Sequence, residues 1–253
     1  MKIERKSKEE LARMRRAGQI VAEVLVVMRE LARPGVSTAE LNAAAEEIIT
    51  RRQAIPAFKG YPHNGKNDFP ASICTSVNEE IVHGIPSDRK LQEGDIISLD
   101  LGINFKGYFT DAAVTLPVGK ISPALEKLIA VTKEALSAGI AKAIDTNHLY
   151  DISYSIQRYV EKNGFSVVRE FVGHGIGVKL HEEPEIPNFG LPHQGPVLKS
   201  GMVFAIEPMV NMGRWESEIL DNGWTAVTKD RLPSAHFEHT VIITDKEPEI
   251  LTA

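Results

Sequence analysis

The sequence predicts a single α+β domain made of two halves with a common plan, and three observations lead to this prediction. The chain has 253 residues, 43% hydrophobic and 25% charged, which is typical of one large globular domain. Segments with helical and strand-like spacing follow in the order helix, helix, strands, and this order occurs twice. No low-complexity segment or linker separates the two sets. We therefore expect one domain over residues 1–253, with halves at about 1–120 and 121–253.

The first half begins with two predicted helices. Apolar residues at helical spacing predict a helix over residues 8–33, which a Pro-Gly pair ends. Ser37 or Thr38 is a typical N-cap for a second helix up to about Arg52, with Glu40 in its first turn. Gly, Pro and Asn residues predict a loop over residues 55–70. Apolar runs then predict strands at residues 72–77, 95–104 and 108–116.

The second half follows the same order. Helical patterns cover residues 122–141 and 147–163, and Gly164 ends the second of them. Asp145 and Thr146 precede this helix, where the first half has the Pro-Gly pair. Strand-like stretches follow at residues 166–172, 202–211, 225–228 and 237–244. Identity between the halves is low, so the common plan is a prediction from element order alone.

Charge and cysteine content restrict the class of protein. The formal net charge of -5 argues against a general nucleic-acid binder, and the basic residues near the start predict the solvated face of the first helix. Cys74 is the single cysteine, which excludes an intrachain disulfide and fits a reducing compartment. The first apolar stretch, residues 20–28, is interrupted by Glu23 and is too short to span a membrane. We therefore expect a cytoplasmic protein with no membrane role.

Acidic side chains inside apolar strands give the first indication of a site. The sequence contains no H-E-x-x-H helix, G-x-S-x-G elbow, P-loop or C-x-x-C pair. Asp100 lies in one predicted strand and Asp111 in the next, after a short connection. Burial of a carboxylate in such a run is unfavourable unless it is paired or binds a metal ion. Adjacent strands would bring both carboxylates together; strand-end turns or surface positions are the alternative.

Three further segments carry residues of the same kind. His174 lies among three glycines, which allow close backbone approach, and His181 follows seven residues later; an incidental histidine in a turn is the alternative. Glu207 and Glu238 each lie in an apolar, strand-like segment, where a salt bridge is the alternative. Four such acidic groups would repel one another unless cations neutralise them. Carboxylates with one imidazole suit two divalent ions ~3.5–4 Å apart.

Five segments resemble, in order and spacing, those of the methionine aminopeptidases of the short bacterial type. They lie at residues 76–79 with 82–86, 94–100, 173–177 (GHGIG) with 181–184, 206–209 (IEPM) and 238–240 (EHT). The resemblance covers nearly the whole chain. It implies the pita-bread fold, in which two pseudo-two-fold symmetric halves surround a curved antiparallel sheet.

The resemblance also implies a role for each site residue. Asp100 would chelate one metal ion and Asp111 would bridge both. His174 and Glu207 would ligate the other ion, with Glu238 as the second bridge. The catalytic residues implied are His83 and His181, which would contact the substrate, and Glu207, which would transfer the proton. The residues implied to line the methionine pocket, besides the two substrate histidines, are Tyr61, Phe69, Cys74, Leu180 and Trp224.

The reaction implied by this resemblance is removal of the initiator methionine from nascent proteins, preferentially before a small second residue. Two divalent metal ions would assist the hydrolysis through a bridging hydroxide. Co, Mn, Fe, Ni and Zn all suit the ligands, so the sequence does not identify the metal. The implied partners are the N-termini of nascent polypeptides, with a further contact to the ribosome, and the protein is expected to act as a monomer without a nucleic-acid role.

Some positions depart from the usual pattern, and two alternative functions follow from the same resemblance. The loop at residues 62–68 is longer than usual and borders the pocket; it contains His63, which we expect at the surface. Leu180 stands where some relatives have an aromatic residue. The alternatives are a proline-directed aminopeptidase of the same fold and a non-catalytic binding module. The first usually carries a large extra N-terminal domain, and the second is expected to lose metal ligands.

Overall fold

A computed structural model describes residues 3–62 and 67–253, and the fold is described here for those residues. His63 lies outside the described residues, and so does the expectation of its surface position. The helices are α1 (Lys8–Leu31), α2 (Thr38–Arg51), α3 (Pro123–Ile140) and α4 (Leu149–Lys162). All four predicted helices are therefore confirmed to within a few residues at each end.

Local hydrogen bonds explain where the helices begin. Ser37 accepts a hydrogen bond from the backbone N–H of Glu40, and the Glu40 carboxylate accepts one from the backbone N–H of Ser37. This capping box satisfies donors that a helix terminus would otherwise leave unpaired. Of the two N-caps that the sequence allowed, Ser37 and Thr38, the structure has Ser37. A capping box at Ser7 and Glu10 starts α1 in the same way.

Fifteen strands are present in the described part of the chain. They are β1 (Ile55–Pro56), β2 (Cys74–Val77), β3 (Glu80–Val82), β4 (Ile96–Phe105), β5 (Tyr108–Pro117), β6 (Ser166–Val167), β7 (Gly173–Gly175), β8 (Glu182–Ile186), β9 (Val203–Ile206), β10 (Met209–Asn211), β11 (Ser217–Ile219), β12 (Ala226–Thr228), β13 (Ser234–His236), β14 (Glu238–Ile242) and β15 (Glu249–Ile250). The predicted strand at 202–211 is divided into β9 and β10 at Glu207-Pro208. The predicted loop at 55–70 contains the short strand β1, and the glycine-rich segment around His174 is the strand β7.

The strands form one large and two small antiparallel sheets. The main sheet of nine strands has the order β1-β4-β5-β14-β9-β7-β8, with β2 beside β4 and β15 beside β14. The small sheets have the orders β13-β10-β6 and β11-β12-β3. The main sheet joins β4 and β5 of the first half to β14, β9, β7 and β8 of the second. The site residues therefore come from both halves of the chain.

The helices cover the main sheet and bury its apolar residues. Helix α1 packs against β4 and β5, and α3 packs against α4. The largest buried cluster includes Val24 and Met28 of α1, Leu99 of β4, Leu128 of α3 and Phe204 of β9. Burial of such side chains contributes ~1.5–3 kcal/mol each and fixes the sheet relative to the helices. Among the described residues, no helix combines the length with the apolar character needed to cross a lipid bilayer.

Candidate metal centre and active site

Strand register places the two predicted aspartates on one face of the main sheet. Asp100 pairs with Ala113, and Asp111 pairs with Gly102. The two aspartates are therefore diagonal neighbours on adjacent strands, and side chains at such positions share a face. The two-residue turn between β4 and β5 fixes this register, because Lys106 and Gly107 both have the positive φ that such a turn requires.

The same register argument brings the remaining predicted ligands to that face. Glu238 of β14 also pairs with Ala113, and His174 of β7 pairs with Ala205 of β9. The β9–β14 pairing, continued by one residue beyond Ile206, sets Glu207 opposite Glu238. Since side chains alternate along a strand, Glu207 shares the face of Ala205. One ligand atom each from Asp111, His174 and Glu238 lies within 4.8 Å of the others.

The two glutamates lie where paired strands leave the main sheet. Pro208 follows Glu207, and its missing N–H ends the pairing of β9 before β10 enters a small sheet. Phe237 similarly separates β13, in that small sheet, from Glu238 at the start of β14. The Asn188 side-chain amide donates to the Glu207 carbonyl at 3.0 Å and holds the backbone at this branch point. The interruptions of strand pairing at Pro208 and Phe237 thus leave the carboxylates of Glu207 and Glu238 facing the site.

The hydrogen bonds of His174 leave one ring nitrogen available for a metal ion. Its Nδ1 lies 2.9 Å from the carbonyl oxygen of Gly175, which can only accept, so Nδ1 carries the proton. Nε2 then presents a lone pair 3.5 Å from Asp111 Oδ2 and 3.5 Å from Glu207 Oε1. Ligands of one ion with bonds of ~2.0–2.2 Å are separated by about 3–3.5 Å. A backbone partner that fixes the tautomer is typical of metal-binding histidines.

Close packing explains why glycines flank His174. A Cβ at Gly173 would lie 2.5 Å from the carbonyl oxygen of Ala205, and one at Gly175 would lie 2.2 Å from the carbonyl oxygen of Glu183. Both distances are far below van der Waals contact. Any side chain at either position would separate β7 from its neighbouring backbone and move His174.

Burial and mutual repulsion raise the pKa values of the clustered carboxyl groups. Burial is the main cause of the rise of the pKa of Asp100 to about 8, of Asp111 to about 7 and of Glu207 to about 8. The pKa of Glu238 is raised well above its ordinary range by burial and by the charges of Asp111, Glu207 and Asp100. Ionised together, these groups need compensating positive charge.

The residues present fit divalent metal ions. Oδ1 of Asp100 is buried, and no hydrogen-bond donor of the described residues reaches it. An unpaired buried carboxylate oxygen is unfavourable unless a cation binds it. Carboxylate oxygens and an imidazole nitrogen are ligands that first-row divalent ions accept. The cluster of Asp100, Asp111, His174, Glu207 and Glu238 is therefore chemically suited to metal binding.

One cavity of about 770 Å³ contains all the predicted site residues. It is lined by the five candidate ligands, by His83 and His181, and by the predicted pocket residues Tyr61, Phe69, Cys74, Leu180 and Trp224. All twelve predicted site residues therefore line the same cavity. The structure adds Phe58, which lies edge-on to Phe69 with ring centroids 6.4 Å apart.

The apolar wall of the cavity is aromatic and carries one thiol. Phe69 and Trp224 contact edge to face, with ring centroids 5.2 Å apart, and Cys74 packs in the same cluster. Burial raises the pKa of the Cys74 thiol well above its ordinary value, and the charges of Asp100 and Glu238 act in the same direction. The thiol therefore stays protonated and serves as an apolar wall, because a nucleophile would require the thiolate.

The longer loop is closed at its base beside this wall. The N–H of Phe69 donates to the carbonyl of Tyr61 at 3.0 Å, and the N–H of Gly60 donates to the carbonyl of Phe69 at 2.8 Å. The indole N–H of Trp224 donates to the carbonyl of Asn67 at 2.9 Å. The loop thus begins and ends at one place, and its C-terminal end is bound to the pocket tryptophan.

Two histidines lie at the cavity, each held by a specific contact. Tyr61 Oη lies 2.6 Å from His181 Nδ1, and the His181 ring is edge-on to His174 at 4.4 Å. Although His181 opens to solvent, enclosure by the pocket and the neighbouring His174 and His83 rings lower the pKa of its imidazole. The ring is therefore neutral near pH 7. His83 has φ +60° and lies edge-on to Phe171, with ring centroids 5.6 Å apart.

Sequence reasoning gave no role to several residues that support the site. His236 is buried, and its Nε2 lies 3.6 Å from Glu207 Oε2. Thr240 Oγ1 accepts from the Asp111 N–H at 3.0 Å. Lys6 is buried and pairs with Glu182 at 2.6 Å. His236 and Thr240 had a detectable sequence signal, since each lies two positions from Glu238, the period of a strand.

The pita-bread arrangement and this carboxylate–histidine centre define a metallopeptidase, and the chain belongs to metallopeptidase family M24, which matches residues 12–245. Its curated relatives have a more specific name. The methionine aminopeptidase of Clostridium perfringens (strain 13 / Type A) is 53% identical over 247 residues, covering 98% of this chain and 97% of that protein. Methionine aminopeptidase 1 of Bacillus subtilis (strain 168) is 51% identical and covers 98% of each.

Solved structures show the same relationship. The methionine aminopeptidase of Rickettsia prowazekii has a TM-score of 0.96 and 39% identity, covering 100% of both chains. The prolidase of Pyrococcus furiosus has a TM-score of 0.79 at 23% identity, covering 98% of this chain and 65% of that one. The second likeness is one of fold alone. The expected fold class is confirmed.

Proposed function

We propose that this chain is a metal-dependent methionine aminopeptidase that removes the N-terminal methionine of nascent proteins, preferentially before a small second residue. The observation that carries the proposal is that the carboxylate–histidine cluster and an aromatic, thiol-bearing pocket line the same cavity. Full-length similarity to proteins named methionine aminopeptidase supports it. A flexible thioether makes favourable contacts with aromatic rings, which suits the walls formed by Phe69 and Trp224.

The five clustered residues are proposed as the ligands of two divalent ions. The five residues line one cavity, and ligand atoms of Asp111, His174 and Glu238 lie within 4.8 Å of one another. By the resemblance, Asp100 would hold one ion, His174 and Glu207 would hold the other, and Asp111 and Glu238 would contribute to both. Bound ions of this kind polarise a carbonyl and lower the pKa of water toward ~7. The ligand set accepts Co, Mn, Fe, Ni or Zn, and availability selects among them.

Glu207 and His181 are proposed as the groups that act on the reacting atoms. Glu207 takes a proton from the attacking water and delivers it to the leaving amine, because its carboxylate lines the cavity beside the other candidate ligands. His181 donates from Nε2 to the developing oxyanion. That role requires Tyr61 Oη to donate to His181 Nδ1, which leaves the ring proton on Nε2. Tyr61 is thereby proposed as the residue that sets the tautomer.

His83 is proposed to position the scissile amide from the opposite wall. Its ring lies edge-on to those of Phe171 and Trp224, with centroids 5.6 and 6.1 Å away, and His83 is not one of the five proposed metal ligands. Its loss should therefore slow turnover and leave the metal centre in place. Leu180, Tyr61 and Phe69 complete the wall around the methionine side chain.

We further propose that residues 1–253 act as one catalytic unit with halves at 1–120 and 121–253. Support comes from the cavity, because Asp100 and Asp111 come from one half and His174, Glu207 and Glu238 from the other. The proposed setting is the cytoplasm, where the chain acts as a monomer on nascent N-termini and contacts the ribosome.

The test is cleavage of two peptides, Met-Ala-Ser and x-Pro-y, by metal-stripped protein resupplied with Mn or Co. We expect methionine release from Met-Ala-Ser when metal is supplied, and no release without metal. Preference for x-Pro-y would instead assign the chain to the proline-directed aminopeptidases. No release from any peptide, with metal bound, would support a non-catalytic module.

Substitution of each of two tryptophans distinguishes an effect on the methionine pocket from a general effect on the fold. Trp224→Ala removes a pocket wall and should raise KM for Met-Ala-Ser by about tenfold or more, since a buried aromatic contributes several kcal/mol of contact. Trp215→Ala is the control, because Trp215 is exposed and packs under Arg169, outside the cavity. Equal effects of the two substitutions would contradict the proposed methionine pocket.

A further inference from the structure

We infer that His148, Asp151 and His193 form a second metal site, for one zinc-like divalent ion, outside the catalytic cavity. One ligand atom of each lies within 4.8 Å of the others, and none of the three lines the cavity. Two imidazoles and a carboxylate are a typical three-residue ligand set for Zn²⁺, with a fourth position left to water. The site would join the start of α4 to the segment at residues 193–197.

The backbone brings the two segments together before any ion binds. The N–H of Leu149 donates to the carbonyl of Pro196 at 2.9 Å, and the N–H of Tyr150 donates to the carbonyl of Gln194 at 3.2 Å. His148 also forms an isolated antiparallel bridge with Val197. These bonds fix the distance between His148 on the helix and His193 on the loop. The site therefore has a preformed frame.

Asp151 is held so that its carboxylate faces both histidines. Oδ2 accepts the N–H of His148 at 2.8 Å, and Oδ1 accepts the N–H of His193 at 2.8 Å. Each oxygen keeps a second lone pair for another partner. His193 adopts φ +61°, a conformation that residues other than glycine rarely take, and this conformation places it beside Asp151.

The ring distances fit coordination better than direct hydrogen bonds. His148 Nδ1 lies 3.9 Å from Asp151 Oδ2, and His193 Nδ1 lies 3.6 Å from Asp151 Oδ1. Both distances are too long for hydrogen bonds. Ligands around a tetrahedral zinc ion with bonds of ~2.0–2.1 Å are about 3.4 Å apart. The three ligand atoms lie within 4.8 Å of one another, so a bound ion would draw the two imidazole rings inward. The His193 side chain is 82% exposed and can make that movement.

The local charges favour a cation, although helix N-termini generally attract anions. Here the first helical N–H groups, of Leu149 and Tyr150, already donate to loop carbonyls, and the N–H of Asp151 donates to the His148 carbonyl at 3.0 Å. Few donors remain for an anion, while Asp151 contributes a negative charge. Imidazole with carboxylate selects Zn²⁺, Ni²⁺ or Cu²⁺ over Mg²⁺ and Ca²⁺.

Metal bound at this second site would order a segment that supports the catalytic residue Glu207. The connection between β8 and His193 contains Asn188, whose side chain donates to the Glu207 carbonyl at 3.0 Å. The ion would fasten the far end of the same connection to α4. We expect the ion to act as a clamp on residues 187–197.

The test is equilibrium dialysis of the full-length, untagged protein against Zn²⁺ at pH 7.5. The wild type should bind one zinc ion more than His193→Ala or His148→Ala, with affinity at the extra site at least about tenfold weaker in each variant. Gln194→Ala is the matched control, because Gln194 is an exposed neighbour in the same loop and uses only its backbone. It should bind as the wild type does.

Two results would overturn the assignment: equal zinc binding by the wild type and both histidine variants, or loss of the extra ion in Gln194→Ala. Limited proteolysis supplies a readout independent of catalysis. Zn²⁺ should slow cleavage within residues 190–197 of the wild type and leave cleavage of His193→Ala unchanged. Binding without protection would contradict the clamp.

Discussion

The two halves of the chain hold their shares of the site in different ways. Asp100 and Asp111 lie on two ten-residue strands joined by a tight turn, and one continuous register fixes both. His174, Glu207 and Glu238 lie in or beside strands of three to five residues that are far apart in the sequence. The first pair depends on local pairing, and the second set on long-range contacts whose formation is entropically more demanding. The positions of His174, Glu207 and Glu238 should therefore be more sensitive to substitutions that disturb packing around their strands.

The largest expected effect comes from removing one ligand from each half. Asp111→Ala and Glu238→Ala should each lower methionine release by about a thousandfold or more, well beyond the ~10–100-fold typical of a supporting residue. Both variants should also lose bound metal, measured by elemental analysis after dialysis. Equal losses would show that the halves contribute to one centre despite their different construction.

His83→Ala is the companion variant. It should lower kcat by about a hundredfold while metal remains bound, because it acts on the substrate rather than on the ions. Loss of metal from His83→Ala, or retention of full metal by Asp111→Ala, would contradict the assigned roles.

A pair of glycine substitutions tests the difference in sensitivity directly. Gly175→Ala places a Cβ 2.2 Å from the Glu183 carbonyl oxygen and should destabilise the fold by roughly 3 kcal/mol, with weaker metal binding. Gly107→Ala meets no atom within 4 Å and adds only the strain of φ +86°, about 1 kcal/mol. Urea unfolding and metal titration of both variants measure the difference. Similar metal affinity in the Gly175→Ala and Gly107→Ala variants would contradict the proposal that the ligands of the second half are more sensitive to packing.

The pH dependence of stability tests the carboxylates of both halves together. In the metal-free protein the pKa values of Asp100 and Glu207 are about 8 and that of Asp111 about 7, above the ~4 of unfolded chains. The folded state then binds more protons than the unfolded state, so stability falls as pH rises toward 8. The lowered pKa values of His181 and His239 act in the opposite direction below about pH 6.5.

The informative range is therefore pH 6.5 to 8. Across it, the free energy of unfolding in chelator should fall by roughly 4 kcal/mol, summed over Asp100, Asp111 and Glu207. Saturating Mn²⁺ should remove most of this slope, because the ions replace the protons as the neutralising charge. A flat profile in chelator would mean that the carboxyl groups are already ionised in the metal-free fold.

The smallest expected effect concerns a contact that ties the two halves together. Lys6 is buried and pairs with Glu182, whose other oxygen accepts the N–H groups of Val178 and Lys179 in the turn before His181. Lys6→Ala should lower kcat/KM by about tenfold, leaving metal content unchanged. Lys199→Ala, which removes an exposed lysine 3.4 Å from Asp145, is the control and should leave activity unaltered. No difference between them would assign Lys6 to stability alone.

Local patterns predicted the elements and the candidate metal ligands, and the resemblance supplied the role of each ligand and the residues of the pocket. Helix ends followed from Ser37 with Glu40 and from the Pro-Gly pair, since capping and proline effects act within a few residues. The clustering of Asp100 and Asp111 followed from two adjacent apolar strands. The position of Glu207 opposite Glu238 did not follow from the sequence pattern, because it depends on the pairing of β9 with β14, which are distant in the chain.

Residues that act through contacts remote in sequence could not be predicted. Lys6 appeared as one of several basic residues near the start, yet it is buried against Glu182, 176 positions away. Asn188 gave no signal, because a polar residue that bonds one distant backbone group looks like any surface residue. Pro208 indicated that a strand should end there, yet the prediction ran one strand across residues 202–211. The structure instead has two strands, β9 and β10, on either side of Glu207-Pro208.

The closed base of the loop after Tyr61 has a practical consequence for protein engineering. Since Phe69 bonds both Gly60 and Tyr61, the two ends of this segment lie side by side at the pocket wall. The loop-closure entropy of a segment whose ends are held together rises by only ~0.6 kcal/mol for each doubling of its length. An epitope or a small affinity peptide inserted between Pro62 and Asn67 should therefore leave the wall intact. The protein offers an internal attachment position for immobilisation, with both of its termini left unmodified.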